Sequence, residues 1–424
     1  MKIAIVGSGV SGLVAAHHLR RGHEVVLYEG GDHLGGHTHT HDVEVGGVPV
    51  AVDTGFIVYN EDTYPELVRL LAELRVETRA SDMSFSVADE RSGREWRATN
   101  LDSVFAQRTN LLRPSFWGML RDIARFNALG RALLAEEDRG ETVGEFLRRH
   151  GFGRAFREHY LVPLGTAVWS ADPSRFDAFP IHTFCRFFDN HRFMQLTDQV
   201  QWRTVTGGSR RYVEAILAPM ADRIRRARVE AVRRTPAGVE VIAAGGHADR
   251  FDRVVLATHS DEALALLADS TPAEREVLSA LPYQRNVALL HTDARLMPRS
   301  RRAWASWNVR VPTTPREGAT LTYDMNRLQG LVTPEPLLVS LNLEDRVDPA
   351  KVLRRIVYHH PIYTPEGIRA QRRHAEIDGA HGVHFAGAYW GYGFHEDGVK
   401  SGLAVVRRLL TSGGHAARGE GIAA

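Results

Sequence analysis

Residues 7–12 read Gly7-Ser8-Gly9-Val10-Ser11-Gly12, three glycines at the spacing that holds a dinucleotide pyrophosphate. Gly7 permits a tight turn, Gly9 lets backbone approach the phosphates, and Gly12 lets helix and strand pack closely. Val10 and Ser11 lie inside the same loop and belong to the same candidate site. Glu29, 22 residues beyond Gly7, stands where a carboxylate accepts hydrogen bonds from ribose hydroxyls and repels a 2′-phosphate. The alternative is a purely structural glycine turn.

The elements needed to position these residues are legible around them. A short apolar strand, Ile3 to Val6, runs into the loop, and a helix carrying Leu13, Ala16 and Leu19 follows. Arg20-Arg21-Gly22 closes that helix with cations in its last turn and glycine just past it. Val25 to Tyr28 forms a second strand ending at Glu29, which completes β–α–β. Further strands are predicted at 229–232, 238–242, 253–258, 287–291 and 337–343, and a helix from Val399 to Leu410.

Whole-chain properties bound the reading. With 424 residues the chain exceeds the size at which one core keeps growing, so more than one lobe is expected. It is 43% hydrophobic and 25% charged, an ordinary globular composition, and 53 basic against 51 acidic residues give +2. That balance excludes a strong global attraction to nucleic acid. The one cysteine, Cys185, excludes an internal disulfide and a Cys-rich metal site. No signal peptide and no run of 18 uncharged apolar residues is visible, so the expected location is cytoplasmic. Residues 102–135 read as helix with Arg113, Arg121, Arg125 and Arg131 among Phe105, Leu111, Phe116, Trp117, Leu120 and Phe126. Such a stretch packs on its own lobe or touches an anionic membrane surface peripherally.

Other residues are candidates for chemistry. Gly35-Gly36-His37 begins a second glycine-rich loop, and His37, His39 and His41 at alternate positions would share one strand face. Three imidazoles suit zinc, but the loop's glycines favour a nucleotide role, so no metal is expected. Asn190-His191 follows two phenylalanines and either lines a cavity or forms a structural pair. Near the C-terminus, Gly387-Ala388-Tyr389-Trp390 precedes Tyr392, Phe394, His395, Glu396 and Asp397, with Gly398 and Val399 opening a helix. His395 is the best proton-transfer candidate because an ordinary imidazole titrates near neutrality.

Together these pieces resemble the FAD-dependent amine oxidase and phytoene desaturase superfamily, end to end. The resemblance implies an α/β fold: a Rossmann-type, glutathione-reductase-like FAD lobe from 1–80, 200–268 and 375–412, and an α+β substrate lobe from 81–199 and 269–374. Residues 413–424 would be a flexible tail. It implies FAD contacts from Gly7, Gly9, Val10, Ser11, Gly12, Glu29, Gly35, Gly36, His37, Val229, Gly387, Ala388, Asp397, Gly398 and Val399. Tyr389 or Tyr392 would wall the flavin ring, and His395, His191 and Tyr392 are the catalytic candidates. The superfamily usually has arginine directly after the glycine pair, contacting the pyrophosphate. Here His37 stands instead, and Arg210 or Arg211 would have to compensate.

Trp169-Ser170, Phe187 to His191, Gly207-Gly208-Ser209, Trp304 to Asn308 and Gly391 to Gly398 resemble one bacterial subfamily, often encoded beside cyclopropane-fatty-acid-synthase-like methyltransferases. That implies an apolar lipid acyl substrate, desaturated or reduced through hydride transfer at flavin N5. The electron acceptor would be oxygen, a quinone or a protein. Many amine oxidases place a lysine near flavin N5. The three lysines here are Lys2, Lys351 and Lys400, leaving none between positions 3 and 350. This favours a desaturase- or dehydrogenase-like reaction over the alternatives, amine oxidation and non-redox flavin-dependent isomerisation.

Overall fold

The computed structural model describes residues 1–195 and 200–413. The expected tail, apart from Gly413 at the end of the last helix, lies outside the described residues. The first strand, Lys2–Val6, is central in a five-stranded parallel sheet whose spatial order is Ile224–Arg225, Glu24–Tyr28, Lys2–Val6, Arg253–Leu256, Val383–Phe385. Strand alternation sorts its side chains onto two cores. Ile3, Ile5 and Val255 face the first helix, Val10–Leu19, and the last, His395–Gly413. Ala4, Val6, Val254 and Leu256 face a three-stranded antiparallel meander formed by Val229–Thr235, Gly238–Ala243 and His247–Phe251. Val277, Leu278 and Ala370, from the helices Pro272–Ser279 and Pro365–Arg372, share that second core.

A second, seven-stranded sheet has the order Val352–Pro361, Tyr283–His291, Leu338–Leu341, Leu321–Asp324, Trp307–Val311, Phe85–Asp89, Arg94–Arg97. Its neighbours are antiparallel except Trp307–Val311 beside Phe85–Asp89. Helices between residues 101 and 190 cover it with an aromatic core that includes Trp96, Phe116, Phe126, Phe146, Phe156, Phe184 and Phe188. The chain is thus an α/β protein with a parallel sheet in one lobe and a mixed sheet in the other.

The continuous helix expected over 102–135 is instead broken. Leu101–Val104 is one helical turn closed at its start by an Asn100–Ser103 capping box, a 3₁₀ turn follows at Arg108–Leu112, and the long helix runs Pro114–Leu133. Pro114 has no N–H to donate and restarts the helix at its first position. Arg113 donates to Asn110, Arg125 to Asp122 and the His150 carbonyl, and Arg131 to the Met194 carbonyl, so three of the four arginines of the stripe brace their own lobe.

Asp53, fully buried, ties distant segments together. Its carboxylate accepts from Thr40 Oγ1 (2.5 Å), Ser209 N (3.0 Å), Ser209 Oγ (2.7 Å) and Gln329 Nε2 (2.8 Å). Burial pushes its pKa up to about 6 against those hydrogen bonds. Removing the acceptor orphans buried donors on two of these segments, each costing about 1–3 kcal/mol. Asp53→Ala is therefore expected to lower unfolding stability by about 3 kcal/mol, read from the urea midpoint. A loss within ~0.5 kcal/mol would show that the tie is redundant.

Candidate active site

One cavity of about 400 Å³ runs from the glycine turn into the second lobe. At its near end lie Gly7, Ser8, Gly9, Val10, Ser11, Glu29, Gly36 and His37. Helix and strand meet here without room for a side chain: a Cβ on Gly12 would sit 2.0 Å from the Gly7 carbonyl oxygen, and one on Gly7 2.6 Å from that of Ala257. A Cβ on Gly9 would meet nothing within 4 Å, so this glycine borders open space rather than packing. No side chain caps the first helix, whose N-terminus is left for an anion. The Glu29 carboxylate accepts from Ser8 N (3.0 Å), Ser8 Oγ (2.5 Å) and Gly31 N (2.7 Å), which holds it beside the turn.

The charge expected at the pyrophosphate is absent. His37 lines the cavity, with its ring 5.3 Å from His360 and 6.2 Å from His259. Burial, then those two imidazoles, hold it well below its ordinary pKa, so it is neutral. Arg210 pairs with Asp42, Arg211 lies near Glu214, and neither lines the cavity, so the expected compensation by either is not made. Neutral His37 and His259 stand there instead. His33 stacks on His39 at 3.7 Å and His39 lies 4.0 Å from His41, so His37 is turned away from the face it was expected to share.

The far end is mainly aromatic, with the hydroxyls of Ser170 and Tyr323 beside Trp169 and Trp307. Phe56, Ile57, Met83, Trp169, Phe187, Phe193, Trp202, Trp307 and Phe394 form its walls. Glu29 and Glu262 are the carboxylates that line the cavity among the described residues, and Glu262 belongs to the glycine-turn end, following Ala257, Thr258 and His259. None of the three lysines lines it: Lys2 lies over Phe251, Lys351 near Glu335 and Lys400 beside Glu396.

The C-terminal candidates divide. Gly387, Ala388, Tyr389, Tyr392 and His395 line the cavity. His395 stacks on Phe56 at 3.6 Å, and its Nε2 lies 3.0 Å from Thr38 Oγ1 and 3.1 Å from Tyr212 OH. Burial lowers its pKa to about 3, so the near-neutral titration that singled it out from sequence is missing. Glu396 turns away and accepts the N–H groups of Glu66 and Leu67, capping the helix Pro65–Glu73. Asp397 accepts from Phe394 N and does not border the cavity. Gly398 packs on the first helix, where a Cβ would meet Val10 Cγ1 at 2.5 Å, and Val399 is buried in the same core.

Four more candidates are placed as follows. His191 sits behind the aromatic wall, stacked on Phe187 at 3.9 Å, with Nδ1 on the Phe187 carbonyl and Nε2 unpartnered. Val229 is in the core beneath the parallel sheet rather than at the cavity. Gly35 supports the loop from behind, donating to Ser8 Oγ, while Gly36 lies against Gly9. Sequence reasoning missed Thr38 and Tyr212 as the partners of His395.

The glycine geometry fits an FAD pyrophosphate, because the open Gly9 face and uncapped helix end converge there. Gly9→Ala is expected to fold with an unchanged apo melting temperature yet bind FAD about tenfold more weakly, measured by flavin absorbance after dialysis. Gly12→Ala, with no space for its methyl, should lose fold and flavin together. The buried histidines predict acid lability. His191, His291 and His360 fall to about 4, and His395 to about 3, so the unfolded chain binds more protons below pH 6.5. Their contribution is present above pH 6.5 and lost as pH falls toward 4, by about 1.4 kcal/mol per pH unit for each fully neutral ring. His39, lowered to about 3, and His41, lowered to about 4, add to this, while Asp53 and Asp397, both raised to about 6, oppose it with two groups against six. The urea midpoint should fall between pH 6.5 and 4.5; a flat profile would contradict this reading.

A family model described as flavin containing amine oxidoreductase matches residues 10–301. AofH of Mycobacterium tuberculosis, which carries the name flavin-containing monoamine oxidase, is 28% identical over 264 residues, 58% of this chain and 54% of AofH. The chain thus spans about half the length of that relative. The cyclohexylamine oxidase of Brevibacterium oxydans has the same fold, with TM-score 0.70, 18% identity and coverage of 96% of this chain and 99% of the other. A fatty acid isomerase from P. acnes shares it with TM-score 0.67, 16% identity and coverage of 96% and 98%. With the glycine turn, the acidic strand end and the family match in agreement, this chain belongs to the flavin-containing amine oxidoreductase family, whose cofactor is FAD.

Proposed function

We propose that the chain oxidises an apolar carbon substrate, a modified fatty acyl chain being the class that suits its cavity. The observation that carries this reading is the far half of the cavity, walled by aromatic and aliphatic side chains with neither lysine nor carboxylate. A charged substrate group buried there would meet no side chain of opposite formal charge, which is costly, whereas an acyl chain gains from leaving water. The same fold in a fatty acid isomerase supports a cavity of this type accepting an acyl chain.

FAD, held by the glycine turn, Glu29 and the open N-terminus of the first helix, would supply the two-electron oxidant for C–H oxidation. The residues of the chain bind and orient. Trp169 is held by donation from Nε1 to the Tyr392 carbonyl, so the wall and the C-terminal loop move as one. Phe56 and His395 stack at the junction of the two halves, and the neutral imidazole positions Thr38 and Tyr212. Tyr392 borders the substrate, and His191 acts through Phe187. Reduction of a double bond is compatible with the same residues. Electrons leave through oxygen, a quinone or a partner protein.

Amine oxidation is the second reading, favoured by the aromatic walls, whose faces attract a cation, and by the names of AofH and cyclohexylamine oxidase. Anaerobic mixing separates them. The acyl reading expects loss of flavin absorbance near ~450 nm with a methyl-branched or unsaturated fatty acid and none with cyclohexylamine or tryptophan. It also expects host lipids, with and without the gene, to differ by two hydrogens in a modified acyl chain. Bleaching by an amine with unchanged lipids would replace the acyl reading by the amine one. Conversion of a fatty acid into an isomer, with the flavin still oxidised, would point to a non-redox reaction.

A further inference from the structure

Eight large hydrophobic side chains stand exposed among the described residues, and four of them, Leu101, Leu111, Leu112 and Trp117, fall between residues 101 and 117. Leu101 is 77% exposed and Leu112 86%. The other four, Met1, Val332, Val357 and Leu410, belong to separate segments. Hydrogen bonds hold the cluster in this exposed position. Arg108 Nη1 joins the turn Leu101–Val104 to the 3₁₀ turn Arg108–Leu112, donating to the carbonyls of Asp102 (3.3 Å) and Phe105 (2.9 Å). Trp117 Nε1 donates to the Leu111 carbonyl (3.0 Å), and its ring lies 5.4 Å from that of Phe105. Asn110 is fully buried while the two leucines after it are exposed, an inversion of the ordinary sorting of polar and apolar side chains. Clustered apolar surface kept in water by its own bracing marks an interaction face.

Charge specifies what covers it. Segments 99–121 and 299–304 carry six arginines and one carboxylate, Asp102. Arg108 pairs with Asp102, and Arg302 Nε lies 3.9 Å from the same carboxylate, so one acidic group serves two guanidinium groups. Arg121, four residues beyond Trp117 on the helix Pro114–Leu133, has a side chain 74% exposed. Its neighbour Asp122, at 3.8 Å, is buried and already accepts from Arg125 and the Gly153 N–H. Glu95 is also buried, accepting the N–H groups of Arg299 and Ser300. The face is therefore apolar with a cationic surround. A second copy of the chain would set arginine against arginine across a two-fold interface, which is repulsive. An anionic bilayer answers both features, its headgroups taking the guanidinium groups and its acyl boundary the leucines and the indole. No helix among the described residues is long and apolar enough to cross a membrane, so the contact is a surface one.

We propose that this face docks the chain on an anionic phospholipid bilayer, with Leu101, Leu111, Leu112 and Trp117 entering the acyl boundary and Arg108, Arg121 and Arg302 meeting the headgroups. The two contributions respond differently to conditions. Guanidinium attraction to the headgroups is screened by salt, whereas insertion of the leucines depends on apolar area. Docking is independent of which substrate the flavin oxidises.

The test sediments the FAD-loaded, full-length protein with vesicles of phosphatidylcholine alone or mixed with phosphatidylglycerol. Binding to the mixed vesicles is expected to be at least about tenfold tighter than to phosphatidylcholine, and to weaken as salt is added. Leu111→Ser combined with Leu112→Ser should lose about tenfold in binding, with melting temperature and flavin content unchanged, because both side chains are exposed. Arg121→Glu should weaken binding to the mixed vesicles several-fold and flatten its salt dependence. Should the leucine variant not fold, Arg121→Glu decides. Absence of vesicle binding, equal binding to both vesicle types, or equal binding by wild type and the folded variants overturns the proposal. A dimer that the leucine substitutions abolish, with no vesicle binding, also overturns it and assigns the face to a second copy of the chain.

Discussion

The close crossing of backbone at Gly7, Gly12 and Ala257 is the constraint on which the site depends. The Gly7 carbonyl occupies the space where a Cβ of Gly12 would lie, and the Ala257 carbonyl occupies that of Gly7. Three chain segments, the first strand, the first helix and the strand Arg253–Leu256, meet at that point. The last helix adds a fourth, since Gly398 and Gly402 admit Val10 and the Ser11 carbonyl where side chains would clash. Small residues let two helices and a sheet edge approach until the helix N-terminus points into the cavity. The anion-binding property is therefore a consequence of packing, and a methyl group in the wrong place removes both.

Electrostatics in the cavity follow from what is missing. With neutral imidazoles where an arginine is usual in the resembling superfamily, the pyrophosphate end relies on backbone N–H groups and the helix dipole. The far end has no lysine, arginine or carboxylate among its lining residues. The same neutrality makes the protein sensitive to acid, because each buried imidazole resists a proton that the unfolded chain accepts.

Several elements were readable in advance because their signals are local. The β–α–β start needs only apolar periodicity, glycine spacing and a terminal glutamate, all within 29 residues. The break at Pro114 was equally local, but it was hidden under a strong apolar pattern that ran through it. Asp53, Thr38 and Tyr212 were not legible as a group. Asp53 meets Ser209 and Gln329 across 156 and 276 residues of chain, and His395 reaches Thr38 across 357. His395 and Asp397 were singled out by type, while their pKa values are set by burial that no spacing reveals. Glu396 was read as a neighbour of the cofactor and instead caps a helix from another part of the chain.

By itself the sequence determined the nucleotide turn, the two-lobed α/β class and the scarcity of lysine, because residue identity and short-range spacing are sufficient for each. Tertiary structure alone decided which histidines are neutral, which acidic residues cap helices, and that aromatic side chains wall the far end of the cavity. These are properties of distance and exclusion of water among residues remote in sequence, and they exist only once the chain has closed around them.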